Sequence, residues 1–202
     1  MNSKQIEKNL DELAEVLQQF QVPSAQFHLL IAGGAYMLIQ KKRQFTEDID
    51  FAIIQQPSRI PRNRVFQVTI ERTEIAQART TVPFSAEFKQ AVQIIAQRHP
   101  ELAEDWLNDE AASYYYDDAP LPEVTFWQSF QGILYCYLPT KEYMFATKIA
   151  ASRPKDVNDI QVLMRDLKIK NRAQAKQIID RFLLPEAQVF WQVDDQLDLL
   201  FP

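Results

Sequence analysis

The sequence predicts an α+β protein: a mixed β-sheet flanked by helices, followed by a helical region that closes the chain. Apolar residues recur at helical spacing at the start and again from Thr140 onward. Between them lie short apolar runs of strand length, at Phe27–Ala32, Asp48–Ile54, Val124–Phe130 and Ile133–Leu138. The first of these runs straight into a diglycine, Gly33-Gly34, ahead of a helix-like segment. The expected division is a core over 1–138 and a helical region over 139–202 packed on it.

Ile6, Leu10, Leu13, Val16 and Leu17 share one helical face between Lys4 and Phe20, with Glu7, Lys8, Glu12 and Glu15 elsewhere on the cylinder. Pro23 marks the end of that helix. Phe27 to Ala32 reads as a buried strand, and the glycines permit a tight turn into a helix reaching Lys42. Asp48 to Ile54 is the next strand, with Ile49, Phe51 and Ile53 on one face and Asp48, Asp50 and Ala52 on the other. Phe66, Val68 and Ile70 alternate with Gln67, Thr69 and Glu71 as a half-buried strand does. Phe84, Phe88, Val92 and Ile95 give a helix closed by Pro100, and Trp106-Leu107-Asn108-Asp109 a loop or short strand before the polar, aromatic stretch Tyr114–Pro122. Val124–Phe130 and Ile133–Leu138 pair as a hairpin around Gln131-Gly132. Thr140 caps a helix to Ser152, a helix spans Asp156–Leu167 after Pro154, and Arg172–Leu183 and Glu186–Leu200 complete the chain.

With 202 residues and 47% apolar composition, the chain can bury a core of its own as one domain, or one domain with a helical extension. Its 22 basic and 27 acidic residues leave a net charge of -5, which argues against attachment to nucleic acid through the overall field. A local exception is the segment with Arg59, Arg62, Arg64, Arg72 and Arg79 against Glu71 and Glu74, the one clearly basic stretch in an acidic chain. The single cysteine, Cys136, cannot form an intrachain disulfide. No stretch approaches the ~20 apolar residues of a membrane span, and the first helix lacks a signal-peptide core, so no membrane contact and a cytoplasmic location are expected.

At an average usage of roughly 7 per cent this chain would hold about fourteen glycines, yet it has three, two of them adjacent. A diglycine at a strand-to-helix junction allows close backbone approach and leaves amide donors at a helix start, which together favour an anion; taken alone it is also compatible with a plain tight turn. Asp48 and Asp50, at i and i+2 of a strand, project the same way with Cα atoms about 7 Å apart. Carboxylates ~4 Å apart repel by about 4 kcal/mol at an effective dielectric near 20, a cost that a hard divalent ion such as Mg2+ removes while bridging to phosphate oxygens. Two solvated aspartates at a strand start are the alternative. Arg43 and Thr46 either hold a phosphate or shape the connection. Lys148 either reaches a phosphate as a point charge or is solvated. Asp156 and Asp159 read as the N-cap and first-turn charge of their helix, with Lys155 as a partner. His28, His99 and Cys136 read as structural, and Trp127, Phe130 and Tyr135 as core.

The pattern Gly33-Gly34 followed by Arg43-x-x-Thr46-x-Asp48-Ile49-Asp50 resembles the signature of the nucleotidyltransferase superfamily, the fold shared by DNA polymerase beta and the aminoglycoside nucleotidyltransferases. The run Lys148-Ile149-Ala150-Ala151-Ser152-Arg153-Pro154-Lys155-Asp156-Val157-Asn158-Asp159-Ile160 is similar to the helical motif of AbiEii-like toxins and related uncharacterised bacterial nucleotidyltransferases. Trp106-Leu107-Asn108-Asp109 resembles a motif of one such group. The resemblance implies a nucleotidyltransferase-like sheet that binds a nucleoside triphosphate with Mg2+ and transfers a nucleotidyl group to a hydroxyl acceptor. Asp48 and Asp50 would be the metal ligands and catalytic carboxylates, with Gly33, Gly34, Arg43, Thr46 and Lys148 on the nucleotide. A third catalytic carboxylate is expected, for which Asp109 is the candidate and Glu71 a remoter choice, the alternative being that the amide of Asn108 occupies that place. Ala35 departs from the pattern, standing where many members place a hydroxyl. Likeness to toxin-type members implies RNA or protein as acceptor and an antitoxin partner; likeness to the antibiotic-modifying members implies a small molecule. Without a third carboxylate, the fold would serve as a nucleotide-binding or partner-binding module without turnover.

Overall fold

The computed structural model describes residues 1–20, 26–54, 56–59, 65–67, 86–109 and 122–202. These divide into two compact units, residues 1–113 with 124–138, and residues 114–123 with 139–202. The protein is α+β, with a mixed open sheet and a C-terminal helical region.

Asn2 starts α1 (Ser3–Gln19) with a capping box: its side chain accepts from Gln5 N–H at 3.0 Å, and Gln5 Oε1 accepts from Asn2 N–H at 2.8 Å. Ile6, Leu10, Leu13 and Leu17, on the expected stripe, are buried. Next come β1 (Phe27–Ile31), α2 (Gly33–Ile39), β2 (Ile49–Ile54), β3 (Ser58–Arg59), β4 (Val65–Gln67), α3 (Ala86–Arg98), β5 (Leu107–Asn108), β6 (Glu123–Phe130) and β7 (Leu134–Pro139). The sheet order is β3-β4-β6-β7-β1-β2-β5, with β1 antiparallel to β2, and with β1–β7 and β2–β5 parallel. Phe27 and Phe51 lie on the same face and meet Phe88 of α3 at centroid distances of 5.0 and 6.1 Å, so α3 covers that face. Asp50 therefore occupies the opposite face.

The hairpin turns where the sequence placed it. Gln131 and Gly132 have φ of 50° and 67°, and Ile133 N–H donates to Phe130 O at 3.0 Å, the pattern of a type I′ turn. The helix expected to reach Lys42 stops at Ile39. Lys41 takes φ 58° while Lys41 N–H donates to Leu38 O at 2.9 Å and Lys42 N–H to Met37 O at 2.8 Å, a Schellman closure on a non-glycine residue. Of the basic segment, Arg59 falls in β3, while Arg62, Arg64, Arg72 and Arg79 lie outside the described residues, as do Glu71 and Tyr114–Tyr116.

In the second unit Thr140 caps α4 (Lys141–Ala151), accepting from Tyr143 N–H at 3.3 Å. A 3-10 turn (Pro154–Asp156) leads into α5 (Val157–Leu167), then α6 (Arg172–Ile179), α7 (Pro185–Phe190) and α8 (Val193–Leu200). Helix α4 packs on α5, α6 and α8, and α8 also packs on α6 and α7. Two expected helices are shorter than their patterns. The Arg172 helix ends at Ile179, and Pro185 opens the next helix after an extended Leu184. The Glu186–Leu200 pattern breaks at Gln192, φ 51°. Ala187 and Val193 are six apart, only about 1.7 turns, so one straight helix would not bury both with Leu197, and the break does. Among the described residues no helix is long and apolar enough to cross a membrane.

Candidate functional site

The junction of β1 and α2 is where the sequence-predicted residues meet. Gly33 has φ +57°, and a Cβ built on it would lie 1.6 Å from Oδ2 of Asp50 and 2.6 Å from its Cγ. A Cβ on Gly34 would lie 2.5 Å from Thr46 Oγ1 and 2.9 Å from Arg43 Nη1. The diglycine thus makes room for a carboxylate on one glycine and for a hydroxyl and a guanidinium on the next. Ala32 N–H donates to Asp50 O at 2.8 Å, which ties the end of β1 to β2 at this point.

The connection between α2 and β2 is anchored at Thr46. Its N–H donates to Met1 O at 2.9 Å, its hydroxyl donates to Asp48 O at 3.0 Å, and the residue is buried. Asp48 stands one residue before β2 and is half-buried, while Asp50, inside β2, is buried. Gly33, Gly34, Arg43, Thr46, Asp48 and Asp50 are therefore held at one corner of the first unit.

The parallel pairing of β2 with β5 sets Ile49 against Leu107 and Asp50 against Asn108. In-register neighbours share a face, so Asn108 stands beside Asp50, and Asp109 follows one residue past the strand. Buried Trp106 sets this register: its carbonyl accepts from Ile49 N–H at 2.7 Å, and its indole N–H donates to Val92 O at 3.2 Å. Two carboxylates and an amide oxygen are donors of the kind a hard cation takes. Among the described residues no group of three or more His, Cys, Asp or Glu side chains is arranged to hold a metal.

Lys148 belongs to the second unit and is buried in an ion network. Its Nζ lies 2.5 Å from Asp156 Oδ1 and 2.9 Å from Asp159 Oδ2, and Arg153 Nε lies 2.7 Å from Asp156 Oδ2. Asp156 occupies the N-cap position of α5 but makes no side-chain cap bond; its carboxylate is spent on Lys148 and Arg153. Burial pushes that carboxyl up, and the Lys148 ammonium with its hydrogen bond, joined by Arg153, outweighs burial and holds it below the usual aspartate range. Arg153, rather than Lys155, is the second cation, and its i, i+3 spacing to Asp156 is the only sequence signal for it.

His28 Nδ1 lies 3.0 Å from the Tyr137 hydroxyl, and its ring stacks on Tyr135 at 5.1 Å. Burial pushes His28 down, Tyr137 up to about 12 and the Cys136 thiol up. Tyr135 therefore groups with His28 rather than with Trp127 and Phe130, which meet edge to face at 6.1 Å. His99 links Glu12 at 2.7 Å and Glu101 at 3.3 Å. No protein-family model, curated protein or solved structure matches the chain.

Proposed function

We propose that this chain is a metal-dependent nucleotidyltransferase that moves a nucleotidyl group from a nucleoside triphosphate to a hydroxyl acceptor. The strongest support is the seating of Asp50: a buried carboxylate occupies space that only a glycine at position 33 leaves, with Thr46 and Arg43 against Gly34 beside it. Asp48 and Asp50 would hold Mg2+, which when bound neutralises phosphate charge and lowers the pKa of an attacking hydroxyl. The acceptor oxygen bonds to the α-phosphorus as the α–β phosphoanhydride bond breaks, pyrophosphate departs, and the hydroxyl proton passes to solvent. Arg43 offers a planar fork of donors suited to phosphate oxygens. Thr46 fixes the connection through the Asp48 carbonyl. No phosphate contact is assigned to Lys148, whose ammonium bonds two carboxylates of its own unit.

The test is transfer of label from α-labelled nucleoside triphosphates, with Mg2+, to RNA, protein and aminoglycoside acceptors. Asp48→Asn and Asp50→Asn should each lower the rate at least about a hundredfold; full activity in either variant would end this reading. A second reading is favoured by Asn108, an amide in register with Asp50: a nucleotide-binding module without turnover. Calorimetry with a triphosphate and Mg2+ that shows binding, alongside no transfer of label, would select it.

A further inference from the structure

Of the six large apolar side chains that stand exposed among the described residues, three lie on α7 and α8: Val189 at 80%, Leu199 at 77% and Phe190 at 61%. The rings of Phe190 and half-buried Trp191 meet edge to face with centroids 5.0 Å apart. Helices α7 and α8 pack on one another, and their Ala187, Val193 and Leu197 are buried while Val189, Phe190 and Leu199 stand outside.

Their charged neighbours along the chain are all of one sign. From Phe182 to Pro202 the chain carries Glu186, Asp194, Asp195 and Asp198 and no lysine or arginine. Asp194 and Asp198 turn toward α6, where Arg172 bridges both at 2.7 Å. Glu186 is four residues before Phe190 and Asp195 four before Leu199, and residues at i and i+4 share a helix face. Each helix thus presents an exposed apolar residue with a carboxylate one turn away. Apolar anchors flanked by carboxylates complement a helix whose apolar stripe is bordered by lysine or arginine, and they disfavour an anionic surface.

We propose that the outer face of α7 and α8 docks a cationic amphipathic helix of a protein partner. Its apolar side chains cover Val189, Phe190 and Leu199, and its cations lie opposite Glu186 and Asp195. This inference does not depend on the nucleotidyl-transfer reading.

The experiment titrates the full chain with a synthetic leucine-lysine peptide patterned as an amphipathic helix, read by calorimetry and by tryptophan fluorescence. One-to-one saturable binding is expected. Phe190→Ser and the paired change Glu186→Lys with Asp195→Lys should each weaken it at least about tenfold, with unchanged melting temperatures because these side chains are exposed. A leucine-glutamate peptide of the same pattern should not bind, and a scrambled leucine-lysine peptide should bind at least about tenfold more weakly. Absence of saturable binding, equal binding of the scrambled peptide, or binding indifferent to both variants would overturn the proposal. So would sedimentation showing a dimer of the protein alone that Phe190→Ser dissolves, since a second copy would then be the occupant.

Discussion

In the first unit, Asp50 needs room: β2 carries it against Gly33, where a Cβ would sit 1.6 Å from its carboxylate oxygen. In the second, Asp156 and Asp159 are positioned by charge, with Lys148 at 2.5 and 2.9 Å and Arg153 at 2.7 Å. The four groups of the second site balance in formal charge and lock the end of α4 to the start of α5, an arrangement that serves the fold. The first site relies on a glycine with a left-handed backbone, a residue that costs more chain entropy to order than any other. Chains tolerate such local costs most often where a side chain must be presented rather than merely packed. The difference is why the nucleotidyl-transfer proposal rests on Asp50 and not on Asp156 or Asp159.

The largest expected effect lies in the charge-held site. Lys148→Met would leave two buried carboxylates without their shared ammonium, and breaking a buried pair from one side costs about 3–5 kcal/mol. Denaturant unfolding measures it, and a loss under 1 kcal/mol would mean the network is solvated and the contrast between the units false. Gly33→Ala comes next. An alanine in the left-handed region costs roughly 1–2 kcal/mol, and the clash with Asp50 adds roughly 1–3 kcal/mol of overpacking. In an Asp50→Ala background the overpacking should shrink, leaving mainly the backbone cost; an unchanged cost there would show that Asp50 does not need that room.

Acid titration sharpens the same contrast. Asp156 is held below the usual aspartate range, so its network contributes stability above the ordinary aspartate value, ~3.9, and loses it as pH falls through the lower folded value. Stability measured from neutral pH downward should therefore decline more steeply below that point in the wild type than in Lys148→Met. Parallel curves would show that Lys148 does not hold the carboxylate down.

Legibility in the sequence followed the range of the interactions. Helix α1 was expected over Lys4–Phe20 and runs Ser3–Gln19, since its buried stripe is periodic and its cap lies in the adjoining residues. The hairpin at Gln131-Gly132 was equally local. The corner formed by Gly33, Gly34, Arg43, Thr46 and Asp50 could be anticipated because all five lie in one short strand-turn-helix-strand passage. The pairing of Asp50 with Asn108 could not, because it depends on a parallel register between distant segments that Trp106 fixes. The His28–Tyr137 contact depends likewise on the parallel β1–β7 pairing. Nor could the breaks at Lys41 and Gln192 be read, since neither residue type signals a left-handed backbone.

Those breaks give the smallest prediction and one in which the units are alike. Lys41 closes α2 in the first unit with φ 58°, and Lys168 closes α5 in the second with φ 56°, where Lys168 N–H donates to Arg165 O at 3.2 Å and Ile169 N–H to Met164 O at 2.9 Å. Both are Schellman closures in which an L-residue occupies the position glycine adopts without steric cost. Lys41→Gly and Lys168→Gly should each stabilise the chain by about 0.5–1 kcal/mol, the left-handed cost relieved less the entropy glycine loses on folding. That corresponds to a rise in melting temperature of about 1–4 °C. Equal gains at the two sites would show that backbone closure is set locally in both units, so that their contrast is confined to how each seats its aspartates. A gain at Lys168 with a loss at Lys41 would instead mean that the Lys41 side chain supports the corner around Asp50.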